Sequence, residues 1–186
     1  KFRVLELGCG AGANIPFFRY LEADYFGIDI SPTIIENLRE RFPELKGNLQ
    51  VADFCKNIPF DGEFDIFVDR GSFTHNTSKS IKSGLDLIKL FSHKESLLFG
   101  INWFSEQSTN FFKGGESTED PSCKKNFDKG PFANTGVVHF SSQSHLENLL
   151  GDFEILELLH IKKDHVIPAE QFITAYWNFV AKLRTK

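Results

Sequence analysis

Methionine does not occur among these 186 residues, the initiator included. The chain also opens almost inside its first apolar run, so residues upstream of Lys1 are expected to have been removed. Cysteine is scarce: Cys9, Cys55 and Cys123 lie far apart and form no C-x-x-C pair. That spacing argues against a disulfide framework or a zinc cluster, and it predicts a reducing, cytoplasmic setting. Apolar runs stay short of the roughly 20 residues a helix needs to cross a bilayer, and no charged-then-apolar leader is present, so no membrane partner is expected. A basic stripe is missing too. Lysines and arginines number 21 against 25 acidic residues, a net charge of −4, which disfavours nucleic acid as a partner. There is no internal repeat and no sign of a second domain. A chain of this length suits one domain, here spanning 1–186, with a substantial core. Phenylalanine, at 21 residues, is what the sequence has in excess.

The informative stretch is the opening, Val4 to Phe18. Val4, Leu5 and Leu7 read as a buried parallel strand that breaks into Gly8, Gly10 and Gly12 before a helical segment, Ile15 to Leu21. Glycines at such a turn let the backbone bend sharply and let a ligand approach to contact distance. Two cofactor classes fit. Read as G-x-G-x-x-G/A, the segment Gly8, Gly10, Ala13 suits a dinucleotide whose pyrophosphate sits on the helix N-terminus. Glu6 opposes that reading, because a carboxylate two residues before the first glycine repels phosphates and attracts an ammonium or a sulfonium.

The spacing E-x-G-x-G-x-G resembles the first motif of class I S-adenosylmethionine-dependent methyltransferases. The resemblance implies that Glu6 lies near the methionine ammonium and that Gly8, Cys9, Gly10 and Gly12 wrap the methionine and ribose. A thiol nucleophile at Cys9 is the lesser reading; between two glycines it serves as a small apolar residue. A second strand, Tyr25 to Ile30, ends at Asp29, roughly 20 residues past the glycines, where a carboxylate can accept both ribose hydroxyls. Ser31 and Pro32 then start a helix carrying Ile34, Ile35, Leu38 and Phe42. A third strand, Asn48 to Ala52, ends at Asp53, the position that hydrogen-bonds the adenine amine in the family, with Ile30 and Phe54 placed to sandwich the ring.

A fourth strand, Phe64 to Asp69, runs into DRGSFTHN. Ligands bind outside the carboxyl ends of strands in open α/β sheets, so Asp69, Arg70, Ser72, Phe73, Thr74, His75 and Asn76 should border the transferred methyl. Asp69 is grouped with the cofactor, Arg70 and Phe73 with the acceptor. The D/N-P-P-Y/F tetrad of the family's adenine methylases is replaced here by DRGS. His75 is the best-placed general base, should the acceptor have a proton to lose. Asn102 and Trp103, after a fifth strand Ser96 to Ile101, and His139 complete the expected acceptor contacts. Asp69 and Asn102 match a catechol-type magnesium site only in part, and no metal is expected.

Between 104 and 136 no periodicity persists, and this segment is read as a lid over the acceptor with aromatic anchors Phe111, Phe112, Phe127 and Phe132, the alternative being a surface insertion that those rings only pin down. A helix from Ser142 to Leu150 and two strands, Phe153 to Lys162 and Phe172 to Leu183, joined by a loop containing Pro168, finish the chain. The family resemblance therefore implies an α/β, Rossmann-like three-layer sandwich with a seven-stranded, mostly parallel sheet and an antiparallel C-terminal hairpin. The implied activity is methyl transfer from S-adenosylmethionine to oxygen or nitrogen of a small soluble molecule. The alternatives are an NAD(P)-dependent oxidoreductase and a catalytically silent S-adenosylmethionine-binding module.

Overall fold

Val4 and Leu5 are both fully buried, yet they point to opposite sides of one sheet. A strand apolar on both faces must be central and covered twice, and that requirement organises the molecule. The computed structural model describes residues 1–167 and 170–184. In chain order the first elements are β1 (Arg3–Leu7), α1 (Ile15–Tyr20), β2 (Asp24–Asp29), α2 (Pro32–Arg41), β3 (Leu49–Val51), β4 (Phe64–Arg70), α3 (Ser78–Leu90) and β5 (Ser92–Phe104). They are followed by α4 (Thr109–Lys113), β6 (Glu116–Ser117), β7 (Cys123–Lys125), β8 (Val138–His139), α5 (Gln143–Leu149), β9 (Phe153–His165) and β10 (Glu170–Leu183).

Seven strands form one sheet in the order β3-β2-β1-β4-β5-β10-β9. The first five are parallel, and β10 runs antiparallel to both its neighbours. One face packs Val4, Val68 and Tyr25 under Ile15, Phe18, Ile35 and Leu38 of α1 and α2. The other packs Leu5, Leu7 and Phe67 under Ile81, Leu85 and Ile88 of α3 and Leu146 of α5. The three-layer α/β architecture is as expected, including the terminal hairpin. In β10, Ala175, Trp177, Phe179 and Ala181 alternate onto the buried face. Gly100 lets β10 close on β5, since a Cβ there would lie 2.1 Å from the Phe179 ring. Pro168, expected in the loop between the last two strands, lies outside the described residues.

Helix signals hold with small changes of boundary. Ser31 caps α2 by accepting the Ile34 N–H, Thr77 caps α3 through Ser80, and Ser142 caps α5 through His145. The third strand is shorter than expected because Pro43–Asn48 forms a 3₁₀ turn first. The fifth is longer at both ends.

The larger departure is the segment 104–136. It is not structureless: α4 and the antiparallel sheet β6-β7-β8 fold around Phe127, Phe132, Val138 and Phe140, flanked by Phe104 and Phe111. These rings pack on each other rather than on one face of a helix or strand. No period shows in the sequence for that reason. Among the described residues no helix is long and apolar enough to cross a membrane.

Candidate active site

The glycine turn sits at the carboxyl end of β1 with Gly8, Gly10 and Gly12 at φ +70°, +49° and +73°. Side chains other than glycine rarely hold that left-handed conformation. Asp29, at the end of β2, binds the two neighbouring turns together: Oδ2 accepts the Gly10 N–H at 2.9 Å and Oδ1 accepts the Ser31 N–H at 2.9 Å. Each carboxylate oxygen has a second lone pair, so both remain able to accept a ligand's hydroxyls.

Above these turns lies a cleft of about 250 Å³ lined by Gly8, Asp29, Ile30, Asp53, Phe54, Ser72, His75 and Asn76. Ile30 is 71% exposed, while Phe54 is held edge-on against Phe73 at 5.0 Å. Both line the cleft, which makes an apolar slot at this end of it. Asp53 accepts the Cys55 N–H and pairs with Lys56 at 2.8 Å, which fixes its carboxylate at the rim of that slot. A Cβ on Gly10 would meet no atom within 4 Å, so the floor above the turn is open.

His75 stands in the mouth of the cleft, edge-on to Phe104 at 5.9 Å. Partial burial lowers its pKa, and a ring N–H directed at the Val137 backbone carbonyl opposes that shift. The direction of that shift favours the neutral imidazole near pH 7.

Several expected site residues lie elsewhere. Glu6 is 3% exposed beneath the turn, where Asn14 donates to Oε1 at 2.7 Å and the Tyr25 hydroxyl to Oε2 at 2.5 Å. Burial raises its pKa. It braces the glycine turn from below and forms no part of the cleft wall. The Cys9 side chain points into the α1–α2 core, and burial pushes its thiol up to about 12, which excludes a nucleophile. Gly12 is a packing glycine, since a Cβ there would meet Leu38 and Ile15 at 2.7 and 2.8 Å.

Asp69 is fully buried and touches no ligand space. Its Oδ1 accepts the Ser72 and Phe73 N–H groups, shaping the turn that seats Ser72 on the Gly8 carbonyl. Its Oδ2 and the Trp103 indole N–H have no well-formed hydrogen bond, though the indole lies close enough to favour the charged carboxylate. Burial wins, and the Asp69 pKa rises to about 7.

Phe73 and Trp103, expected at the acceptor, are core residues, each 0% exposed and packed on one another at 5.4 Å. Large aromatics beside a strand end read alike whether they face a ligand or the core. Asn102 is held at φ +59° with its N–H on Asn178 Oδ1, at the bend that leaves β5. His139 is 0% exposed. Its Nε2 lies 3.2 Å from Ser78 Oγ and 3.1 Å from His145 Nε2, while Asp120 accepts from both the Ser78 N–H and hydroxyl. This half-buried knot joins the folded insertion to the N-terminus of α3. Sequence reasoning missed it, because its members are 67 positions apart and share no motif. Arg70 is exposed at the end of β4.

A further cleft of about 320 Å³ lies between α1 and the β4–β5 face, lined by Phe17, Leu21, Ile66 and Phe99 among others, with Asn14 as its polar member. It has nothing to hold a nucleoside or a charged tail. Among the described residues no three His, Cys, Asp or Glu side chains form a metal-binding group.

Residues 4–89 match a family model described as "Methyltransferase domain". An 18S rRNA (guanine-N(7))-methyltransferase of Bos taurus is 28% identical over 95 residues, 50% of this chain and 33% of that protein. The chain spans a third to two fifths of the length of the curated relatives it matches. Among solved structures, an S-adenosylmethionine-dependent methyltransferase of Methanosarcina mazei superposes with a TM-score of 0.77 at 15% identity, covering 100% of this chain and 94% of that one. A 1,6-didemethyltoxoflavin-N1-methyltransferase of Burkholderia thailandensis, solved with its substrate and S-adenosylhomocysteine, gives 0.67 at 16% identity, covering 99% and 72%.

Proposed function

This chain has the class I S-adenosylmethionine-dependent methyltransferase fold, and on that premise we propose that it binds S-adenosylmethionine and moves its methyl group to oxygen or nitrogen of a small soluble acceptor. The observation that carries the reading is the cleft with Asp29 and Asp53 at successive strand ends and the Ile30–Phe54 slot between them. When bound, the cofactor supplies an activated methyl on sulfur. Asp29 holds the ribose diol, Gly8 and Gly10 let the thioether approach the backbone, and Ile30, Asp53 and Phe54 hold adenine.

Rate enhancement comes chiefly from lining up the acceptor atom with the methyl. His75, at the mouth of that cleft, takes the acceptor's proton where there is one to lose. The folded insertion walls the acceptor side: Cys123 Sγ approaches the Asn76 carbonyl at 3.8 Å and Phe104 abuts His75, so its role is that of a lid anchored on aromatics. A small acceptor is favoured over RNA by the net charge of −4. The free thiols Cys9, Cys55 and Cys123 suit a reducing, cytoplasmic location.

Calorimetry with S-adenosylhomocysteine and with NAD tests the cofactor, and an acceptor screen reporting S-adenosylhomocysteine release tests turnover. Binding of S-adenosylhomocysteine, no binding of NAD and turnover with a metabolite fraction are expected. NAD binding in its place overturns the reading. Tight cofactor binding with no turnover on any metabolite or RNA fraction leaves a silent cofactor-binding module.

A further inference from the structure

The geometry points to Arg70 as the residue that holds the carboxylate of the cofactor's methionine half, rather than a group on the acceptor. The inference rests on the cofactor reading above and adds to it a specific contact at the far end of the cleft.

β1 and β4 are paired in parallel with Glu6 beside Val68 and Leu7 beside Asp69. The next step along both strands places Arg70 beside Gly8, at the glycine turn itself. Successive side chains of a strand alternate between faces. Glu6 and Val68 lie on the α1–α2 face, with Tyr25 and the α1 core, whereas Asp69 is turned to the α3 face with Trp103 and Phe73. Arg70 therefore projects on the α1 side of the sheet. His75, proposed to meet the acceptor, is on the other side: it follows Phe73 of the α3 core and abuts the insertion through Phe104 and Val137. An acceptor seated against His75 is thus across the sheet end from the guanidinium.

Charge makes the same distinction. Arg70 is exposed and, among the described residues, has no hydrogen-bond or ion-pair partner. Its field nevertheless reaches Glu6 beneath the turn and favours the ionised form of that carboxylate. The guanidinium is therefore close to the turn over which the ligand's tail must pass. With the adenine end of the cleft at Asp53 and Phe54, a nucleoside laid over Asp29 directs its 5′ substituent toward Gly8, the glycine that the strand register sets beside Arg70. That substituent is an amino acid carrying one carboxylate, and a planar guanidinium matches a carboxylate in two-point geometry.

The test compares two thioethers of adenosine that differ in the amino-acid tail. S-adenosylhomocysteine carries the carboxylate, and 5′-methylthioadenosine lacks both carboxylate and ammonium. Calorimetric titration of wild type, Arg70→Ala and Arg70→Lys with each compound is expected to show Arg70→Ala weakened roughly tenfold for S-adenosylhomocysteine, within the range for a charge-assisted hydrogen bond. Its affinity for 5′-methylthioadenosine should be unchanged, and Arg70→Lys should recover part of the loss. Unchanged affinity of Arg70→Ala for S-adenosylhomocysteine, or equal weakening toward both compounds, would overturn the assignment alone. Failure of the wild type to bind either compound would overturn the cofactor reading and the assignment together.

Discussion

Asp29 and Asp69 are two carboxylates at the ends of the parallel strands that flank β1, with opposite surroundings. Asp29 lines the cleft, and its oxygens keep free lone pairs for a diol. Replacing it with alanine should weaken S-adenosylhomocysteine binding by roughly 1.5–3 kcal/mol in calorimetry. Unaltered affinity would remove Asp29 from the site. Asp69 has no access to ligand, and burial raises its pKa to about 7. Folding therefore takes up a proton there: the stabilising contribution is complete below the ordinary carboxyl pKa of 3.8 and is lost as pH rises through about 7. Asn at this position keeps an oxygen for the Ser72 and Phe73 N–H groups without the buried charge. Thermal melts should show Asp69→Asn gaining on wild type between pH 4 and pH 7, by at most ~1.4 kcal/mol per pH unit. Parallel melting curves across that range would refute a buried titrating carboxylate. The residue type at a strand end was legible in the sequence, but which face it took was not. One step along a strand reverses the side, and that step separates a binding group from a core brace.

At the scale of elements, the strands that carry the site are secured by close approaches a sequence pattern does not display. β10 reaches β5 because Gly100 leaves room for the Phe179 ring, which itself packs edge-on to Trp103 at 5.1 Å. Gly100→Ala should destabilise the protein by about 1–3 kcal/mol in denaturant titration, the usual cost of overpacking. Wild-type stability would mean that the hairpin adjusts freely. The caps at Ser31, Thr77 and Ser142 were readable from local chemistry, because a cap is a contact within four residues. The fold of 104–136 was not. Its rings meet through contacts such as Phe104 with Phe132 at 4.8 Å and Phe111 with Phe140 at 5.5 Å, which leave no period in the chain.

For the molecule as a whole, two buried groups titrate against each other. His139 is held neutral, its pKa lowered to about 4 by burial first and by His145 second. Its contribution to stability is intact above the ordinary value of 6.5 and is lost as pH falls toward about 4, opposite in sign to Asp69 over nearly the same interval. Wild type should accordingly show a shallow pH–stability curve between pH 4.5 and 6.5. In Asp69→Asn the melting temperature should fall with acidification over that range. A variant that stays flat would show that the knot of Ser78, His139 and His145 does not resist protonation. The amino-acid sequence by itself determined the order of strands and helices, the glycine turn and the two acidic strand ends of the cleft, because each is set by local backbone chemistry or by which residues must be hidden from water. Tertiary structure alone decided that Glu6, Asp69, Phe73, Trp103 and His139 are supports under the site, since that depends on which neighbour fills the space beside each side chain, and neighbours come from distant parts of the chain.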